Sequence, residues 1–547
     1  MKQKIISAIL VCALLLSLCT AVSAAEIERA GTGANIEAAI VAADYAEVGG
    51  TLEPEEVLPS SYNSAALGYT TPVRNQNYNT CWAYSSTASF ESLLLKNRIS
   101  SFHLSPMHMN FWGCTREDDT GWQRDYYQAG YPYIALGYLT SYGCVPDSVF
   151  DDKKAIEDYA ASSGSVYPYR IADGIIYLEA ADRDTVKTAV YNYGGVIGNF
   201  HYSTFLNESD NGTAYFCNQP DLATSQLNGH AVEIVGWDDN YSKTNFKSES
   251  QPTADGAWLC KNSWGTGWCN QKGYFWISYE DYYLFDSRFG PSYAITSSAP
   301  MTAVSKMQQN EEYGSTYEFS YIEQLRPNQT KMTYANVFDF SDGYHNIDKV
   351  VFESTSQGSK YTIYYIPVNS SGAPVTDTTQ WMLLAKGTVE YEGYTGAEIY
   401  GFDAPKTKGA IGVQIEKNGD TGITIGSDEW LTSGGKYLFK PTSQRGQSYL
   451  IGYTTNAMDV MDFYKNKLSD DIGGTFVIKA LCRNDEKAGD VDRDKDFSIL
   501  DVTLAQYYHS RLTELDDEQL RYADFNNDGE VDITDCTFMQ RGLAYMD

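Results

Sequence analysis

The stretch VRNQNYNTCWAYSS, Val73 to Ser86, sets a single cysteine between a polar run and a tryptophan, five positions after Gln76. Cys81 there reads as half of a disulfide, a buried thiol or a nucleophile. Its partners elsewhere in the chain have to decide. A thiol attacks well only as thiolate, and a nearby imidazolium is the usual means of keeping it ionised near neutral pH. Of the six histidines, His230 lies in LNGHAVEIVGWDD, at the head of an alternating apolar run that predicts a strand. An imidazole also needs an orienting group on its second nitrogen. WLCKNSWGTGWCNQKGYFWIS (Trp258 to Ser278) offers Asn262 for that, with Trp264 placed to shield a side-chain hydrogen bond from water. His103, His108 and His201 have no such setting and read as structural or surface residues.

The chain around this stretch is long and acidic. Its N-terminus, MKQKIISAILVCALLLSLCTAVSAAEIE, carries Lys2 and Lys4, an apolar run and a small-residue site at Val22-Ser23-Ala24, the pattern of a cleavable secretory signal over residues 1–25. The apolar run is shorter than the roughly 20 residues a membrane span needs. Removing the two lysines takes the formal charge from −31 to −33, which disfavours nucleic acid and anionic membrane as partners and favours solubility outside the cell. The 547 residues predict several domains. Eight cysteines remain after the signal: Cys81, Cys114, Cys144, Cys217, Cys260, Cys269, Cys482 and Cys536. Their irregular spacing is no dense disulfide framework, and few bridges are expected.

The segments VRNQNYNTCWAYSS, NGHAVEIVGWDD and KNSWGTGWCNQKGYFWIS together resemble those of the papain-like cysteine peptidases, in that family's chain order of cysteine, histidine, asparagine. QAGYPYIALGYLTSYGC (Gln128 to Cys144) looks like the family's cleft helix and glycine turn. The resemblance covers residues 58–298 and implies an α+β peptidase domain there. It implies Cys81 as nucleophile, His230 as base and then acid, Asn262 as orienter of His230, and Gln76 as a side-chain donor to the oxyanion hole. On the substrate side it implies Gly130, its bare backbone facing the substrate strand, and Trp264. No cofactor is implied for catalysis. Two departures stand out: the spacing from Gln76 to Cys81 is one position shorter than the family's usual, and the family's usual cysteine three before the nucleophile is Tyr78. A shortened loop is expected to replace that staple.

The C-terminus holds an internal repeat, GDVDRDKDFSILDVTLAQYY (Gly489 to Tyr508) and ADFNNDGEVDITDCTFMQRG (Ala523 to Gly542). Side-chain oxygens recur at loop positions 1, 3, 5, 9 and 12, as Asp490, Asp492, Asp494, Ser498 and Asp501, then Asp524, Asn526, Asp528, Asp532 and Asp535. Position 7, Asp496 and Glu530, would give its carbonyl. This spacing wraps oxygens around one calcium ion per loop, two in all. Position 6 needs a sharp turn and is Gly529 in the second loop but Lys495 in the first. Paired half EF-hands of this kind resemble a type I dockerin, a small α module that docks on cohesin domains of the scaffoldin in a cellulosome. The resemblance implies cohesin contacts through Ile499, Leu500, Ile533 and Thr534.

Between these regions, short runs such as KVVFES, KYTIYYIPV and GAIGVQIEK, split by turn residues, predict a β-sandwich. YANVFDF followed by DKVVFES resembles the lectin-like β domain that follows papain-like domains in some bacterial and archaeal secreted proteins. That resemblance allows a glycan-binding role, a spacer or a wall of the peptidase cleft. The expected organisation is multidomain: signal 1–25, linker or short pro-segment 26–57, papain-like domain 58–298, lectin-like β-sandwich 300–484 and dockerin 487–547. The leading expectation is a secreted, extracellular cysteine endopeptidase, cellulosome-associated and acting on protein or peptide. The rival is a non-catalytic subunit that grips protein or glycan.

Overall fold

The computed structural model describes residues 57–546, except 101–102, 117–118, 149–167, 179–181, 204–208, 210–211, 311–316, 321–329, 419–422, 430, 434–435, 453–455, 468–473, 485–488 and 526–529. The expected signal and residues 26–56 of the expected linker lie outside the described residues, as do Asn526, Asp528 and Gly529 of the second expected calcium loop.

Helix α1, Cys81–Lys96, is buried from Cys81 through Leu94. A helix enclosed on nearly every side must satisfy its polar side chains internally, and this one does. Ser86 Oγ and Thr87 Oγ1 donate back to the carbonyls of Trp82 (2.5 Å) and Ala83 (3.0 Å). Ser89 and Ser92 instead reach the sheet, at the Gly195 carbonyl (2.8 Å) and Glu233 Oε1 (2.5 Å). Small hydroxyl residues let α1 sit close to the sheet, and this fixes where its first residue, Cys81, lies. Two short helices, α2 (Pro106–Trp112) and α3 (Pro132–Gly137), complete the helical side. Helix α4, Arg183–Tyr193, is capped by Asp182, whose side chain accepts from the Thr185 N–H.

Beneath α1 runs an antiparallel sheet in which strand Gly229–Asp238 pairs with Val196–His201 on one side and with Ala257–Lys261 on the other. The register opposes His230 to Phe200 and Glu233 to both Ile197 and Lys261. His230 stands near one end of its strand, and Asn262 follows immediately after the end of the neighbouring strand.

The middle region is a β-sandwich, as the alternating runs predict. One layer is a six-stranded sheet that includes Lys331–Asp339, Lys360–Pro367 and Lys408–Glu416; the other is formed by Asn346–Ser354, Gly393–Asp403 and Ile478–Arg483. Apolar residues of both layers, among them Tyr334, Phe352, Ile363, Val413 and Ile478, fill the space between.

The second layer does not end at the domain boundary. Strand Gly393–Asp403 pairs with Arg170–Tyr177 of the first region, Gly393 opposite Ile176 and Tyr394 opposite Ile175, so one twelve-stranded sheet crosses both regions. Gly393 makes the junction possible: its φ is +127°, and a Cβ there would collide with the Ile175 carbonyl. A short strand, Gly121–Trp122, pairs with Lys436–Lys440 of the sandwich, and the Trp122 and Phe439 rings lie 5.1 Å apart. Val351, Tyr394, Phe439 and Val477 belong to the same apolar cluster as Cys81, Trp82 and Ile134. Polar contacts follow: Lys349 pairs with Asp173 and with Glu398 (2.7 Å), and buried Lys479 donates to Thr140 Oγ1 (3.0 Å) and Ser141 Oγ (2.5 Å). A side chain left to open a cavity here would be felt in both regions.

The C-terminal module consists of α5 (Ile499–His509), α6 (Asp517–Ala523) and α7 (Ile533–Met546). Its core of Val491, Phe497, Val502, Ala505, Tyr522, Cys536 and Met539 is small, and Ala303 and Val304 pack onto it. None of the eight cysteines from Cys81 to Cys536 forms a disulfide.

Because the two larger regions share a core, they are expected to unfold together. Phe439→Ala removes a fully buried ring and should cost about 3–5 kcal/mol, lowering the single calorimetric transition of the peptidase-like and sandwich regions as a unit. Two separable transitions, with only the sandwich responding to the substitution, would contradict the shared core.

Candidate active site

Cys81 is the first residue of α1, directly after Thr80, and is completely buried. The unpaired N–H groups of a helix start favour negative charge at that position. His230 is also completely buried. Its Nε2 lies 2.9 Å from Asn262 Oδ1, and the same oxygen accepts the Ser263 backbone N–H at 2.8 Å. An oxygen already bound to a backbone donor cannot be the amide nitrogen, so the proton of the His230 bond sits on Nε2. Nδ1 then carries the lone pair, and it is buried with no hydrogen-bond partner among the described residues. Trp264 stacks on the imidazole with ring centroids 4.5 Å apart at 23°, covering the bond to Asn262. Burial pushes the His230 imidazole down to about 4, although its bond to Asn262 pulls the other way.

Charged, enclosed residues lie on the elements that carry the site. Lys261 Nζ sits 3.0 Å from Glu233 Oε2, both buried. Glu91, on α1, accepts from Arg74 Nη2 (3.1 Å) and the Leu104 N–H (2.7 Å). Burial would raise its carboxyl, but Arg74, His103 and Lys261 hold it down to about 2. These pairs tie together α1, the segment before Gln76 and the strand that ends at Lys261, just before Asn262.

Gln76 belongs to the same site. Its backbone N–H donates to the Ser263 carbonyl at 2.6 Å, its Oε1 accepts from Ser263 Oγ at 2.7 Å, and its Nε2 donates to the Tyr78 carbonyl at 3.0 Å. An amide nitrogen has two hydrogens, and the Tyr78 carbonyl takes one of those on Nε2. Ser263 fixes which end of the amide points which way, a role the sequence reading missed; its only signal was adjacency to Asn262. Gly130 is buried, and a Cβ there would fall inside the Trp82 indole. Packing on Trp82 thus requires glycine here, a reason beyond the approach of a substrate strand. His108 is enclosed and bonded to the Tyr138 hydroxyl (2.8 Å), and His201 accepts from the Asn228 N–H (2.9 Å), matching the structural reading of both. His103 lies beside Glu91 at 3.4 Å.

In the C-terminal module, ligand oxygens of Asp490, Asp492 and Asp494 lie within 4.8 Å of one another. Burial, with Asp501 and Asp494 alongside, raises the Asp490 carboxyl above its ordinary range. This crowd of hard oxygens fits a calcium ion. The two loops repeat one bond: Asp501 accepts the Ser498 N–H and Asp535 the Asp532 N–H, each at 2.8 Å. Lys495, at the position expected to be glycine, has φ +75°. Asp496 is exposed and donates its N–H to Asp494 Oδ1 (2.8 Å), and the Ser498 hydroxyl caps α5 at Leu500 N. Asp524, Glu530 and Asp532 lie in the described part of the second loop, and Asp535 is buried. Ile499, Leu500, Ile533 and Thr534 are exposed, and so are Tyr507 and Phe538, which the sequence reading did not single out.

Three family models match the chain in order: papain family cysteine protease over residues 58–288, lectin like domain over 313–481 and dockerin type I domain over 488–544. Among solved structures, the cysteine protease and lectin-like domains of Cwp84, a surface layer associated protein of Clostridium difficile, are 32% identical with a TM-score of 0.68, covering 80% of this chain and 90% of that one. A second structure of Cwp84, after propeptide cleavage, is also 32% identical with a TM-score of 0.68, covering 78% of this chain and 100% of that one. Mouse cathepsin K is 27% identical over 229 residues, and human cathepsin L2 is 26% identical over 228; each match spans 61% of the cathepsin. With the fold, the enclosed His230–Asn262 pair and these likenesses in hand, the chain belongs to the papain family of cysteine proteases, its peptidase region followed by a lectin-like domain and a type I dockerin.

Proposed function

We propose that the protein is a secreted cysteine endopeptidase that uses Cys81, His230 and Asn262 and is held on a cellulosome scaffoldin by its dockerin. The observation that carries this reading is His230: its Nε2 is committed to Asn262, its Nδ1 is left without a partner, and Cys81 begins the helix that packs on its strand. In the proposed reaction the Cys81 thiol gives its proton to His230 Nδ1 and its sulfur attacks the peptide carbonyl carbon. The tetrahedral oxyanion accepts from the Cys81 backbone N–H and Gln76 Nε2. His230 then protonates the leaving amine as the C–N bond breaks. Water, deprotonated by His230, releases the acyl group and restores the thiol.

The dockerin gives the partner. Asp490, Asp492, Asp494, the Asp496 carbonyl, Ser498 and Asp501 would hold one calcium ion, and the second loop its counterpart, so that two ions neutralise the carboxylates and fix α5 and α7. Ile499 and Leu500 on one helix start, and Ile533 and Thr534 on the other, would then face cohesin. No helix among the described residues is long and apolar enough to cross a membrane, and an extracellular location is in keeping with a dockerin. The segments proposed from sequence, 58–298 for the peptidase, 300–484 for the sandwich and 487–547 for the dockerin, are the units of this reading.

Cys81→Ala is expected to abolish casein cleavage and labelling by a thiol-directed epoxide while the fold survives, and Gln76→Ala to lower kcat by about 10²- to 10³-fold. Casein cleavage at the wild-type rate by Cys81→Ala would refute the assignment in favour of another nucleophile, and a wild type that neither cleaves nor labels would favour the binding-subunit reading.

The histidine provides a test by pH. Burial, only partly opposed by the bond to Asn262, holds the imidazole neutral down to about 4, so a charged His230 at neutral pH requires an anion beside it, which raises the value. NMR titration is expected to find His230 of the wild type still protonated well above the pH at which His230 of Cys81→Ala loses its proton. Coincident titrations in the two proteins would contradict a thiolate–imidazolium pair.

For the dockerin, a chelator added to the full chain is expected to melt α5 to α7 and release bound cohesin, while hydrolysis of a soluble peptide continues. Calorimetric titration that finds no calcium uptake up to about millimolar concentration, or helices indifferent to the ion, would remove the calcium-dependent anchor.

A further inference from the structure

The loop from Asn75 to Thr80 carries Gln76 and ends at Cys81, yet it has no covalent staple: Tyr78 stands where the family's usual cysteine would be. Its backbone is left-handed at Tyr78, with φ +56°, a conformation a non-glycine residue keeps only when its surroundings impose it. The surroundings here are two rings. Tyr78 meets Tyr127 edge-to-face with centroids 5.0 Å apart at 86°, and Tyr126 at 5.8 Å and 71°. The loop presenting those rings is anchored. Asp125 Oδ1 accepts the N–H groups of Tyr127 (2.9 Å) and Gln128 (3.1 Å), and buried Asn110 donates to the Tyr126 carbonyl at 3.0 Å. Buried Arg124 donates to the Gln128 and Ala129 carbonyls. The left-handed turn aims the Tyr78 carbonyl at Gln76 Nε2, which donates to it at 3.0 Å. Gln76 is therefore held at both ends of its amide, by Ser263 at Oε1 and by Tyr78 at Nε2.

We propose that the edge-to-face contact between Tyr78 and Tyr127 is a non-covalent staple that takes the place of the missing disulfide, making both tyrosines positioning residues for the oxyanion donor Gln76. The function of the staple rests on the cysteine-peptidase reading; its existence as a physical clamp does not. A staple made of rings gives the same geometry under reducing and oxidising conditions, which a disulfide cannot.

The test uses the full-length protein with Tyr127→Ala, which removes the nearer clamping ring and leaves Tyr78 only its longer contact with Tyr126, and Tyr127→Phe, which keeps the ring and removes the hydroxyl. Tyr127→Ala is expected to lower kcat on a peptide amide by on the order of tenfold or more, with KM changed by less than about twofold. Alkylation of Cys81 by iodoacetamide, which needs no oxyanion donor, should proceed at the wild-type rate. Amide hydrogen exchange across Asn75–Thr80 should quicken by on the order of tenfold, and Tyr127→Phe should match the wild type in all three measurements. A rise in KM with kcat unchanged would make Tyr127 a substrate contact and overturn the proposal. Unchanged exchange in Tyr127→Ala would overturn it as well, whether or not the wild type cleaves peptide. A wild type without peptidase activity but with quickened exchange in Tyr127→Ala would refute the enzymatic reading while leaving the clamp standing.

Discussion

The bond from His230 Nε2 to Asn262 Oδ1, enclosed under Trp264, is the constraint on which the rest of the site depends. A buried polar pair contributes only about 0.5–1.5 kcal/mol net when made, but leaving one member unsatisfied costs more, about 1–3 kcal/mol. The bond therefore selects one ring orientation far more strongly than it stabilises the fold. It puts the proton on Nε2 and leaves Nδ1 as the only basic atom of the ring. Burial makes the imidazolium expensive in isolation, so charge on His230 is tolerated only with an anion as its partner. The one nucleophilic residue at the start of the helix packed on that strand is Cys81, where the helix terminus itself favours negative charge.

Holding that geometry takes packing from distant parts of the chain. Glu233 of the histidine strand pairs with Lys261 of the adjacent strand, Ser92 of α1 donates to the same carboxylate, and Glu91 gathers Arg74 from the segment leading to Gln76. The sandwich contributes Phe439 and Tyr394 to the apolar cluster that contains Cys81. The middle region is thus a structural part of the peptidase's helical side, whatever else it binds. On the exposed side of the nucleophile, the left-handed backbone at Tyr78 costs about 1–2 kcal/mol, and edge-to-face ring pairs give back about 0.5–1.5 kcal/mol each. Two such pairs are enough to offset the turn.

The candidate site was legible in the sequence because its chemistry is local. Each of Cys81, His230 and Asn262 sits in a short segment whose composition marks it, and the two calcium loops announce themselves by repeated spacing; even the strain at Lys495 was readable as the wrong residue at position 6 of the loop. What stayed hidden was long-range. Nothing in the runs around Trp122 and Phe439 says that these rings meet, since the contact spans the boundary between two regions. Gly393 looks like any turn glycine until its strand pairs with Arg170–Tyr177. Ser263 was passed over because its effect runs through Gln76, far away in the chain. Gly130 was read for its bare backbone alone, and the indole of Trp82 that demands it could not be seen without the fold. Tyr507 and Phe538 escaped because the exposed face of a helix is set by what its other face buries.

The central claim is that Cys81 and His230 form one ionised pair, and the rate of Cys81 alkylation as a function of pH measures it most directly. The pair predicts rapid alkylation that persists well into acid, far below the value of about 8.5 for an ordinary thiol, and that is lost in His230→Ala. Alkylation that rises only through about 8.5, and does so equally with and without the imidazole, would contradict it.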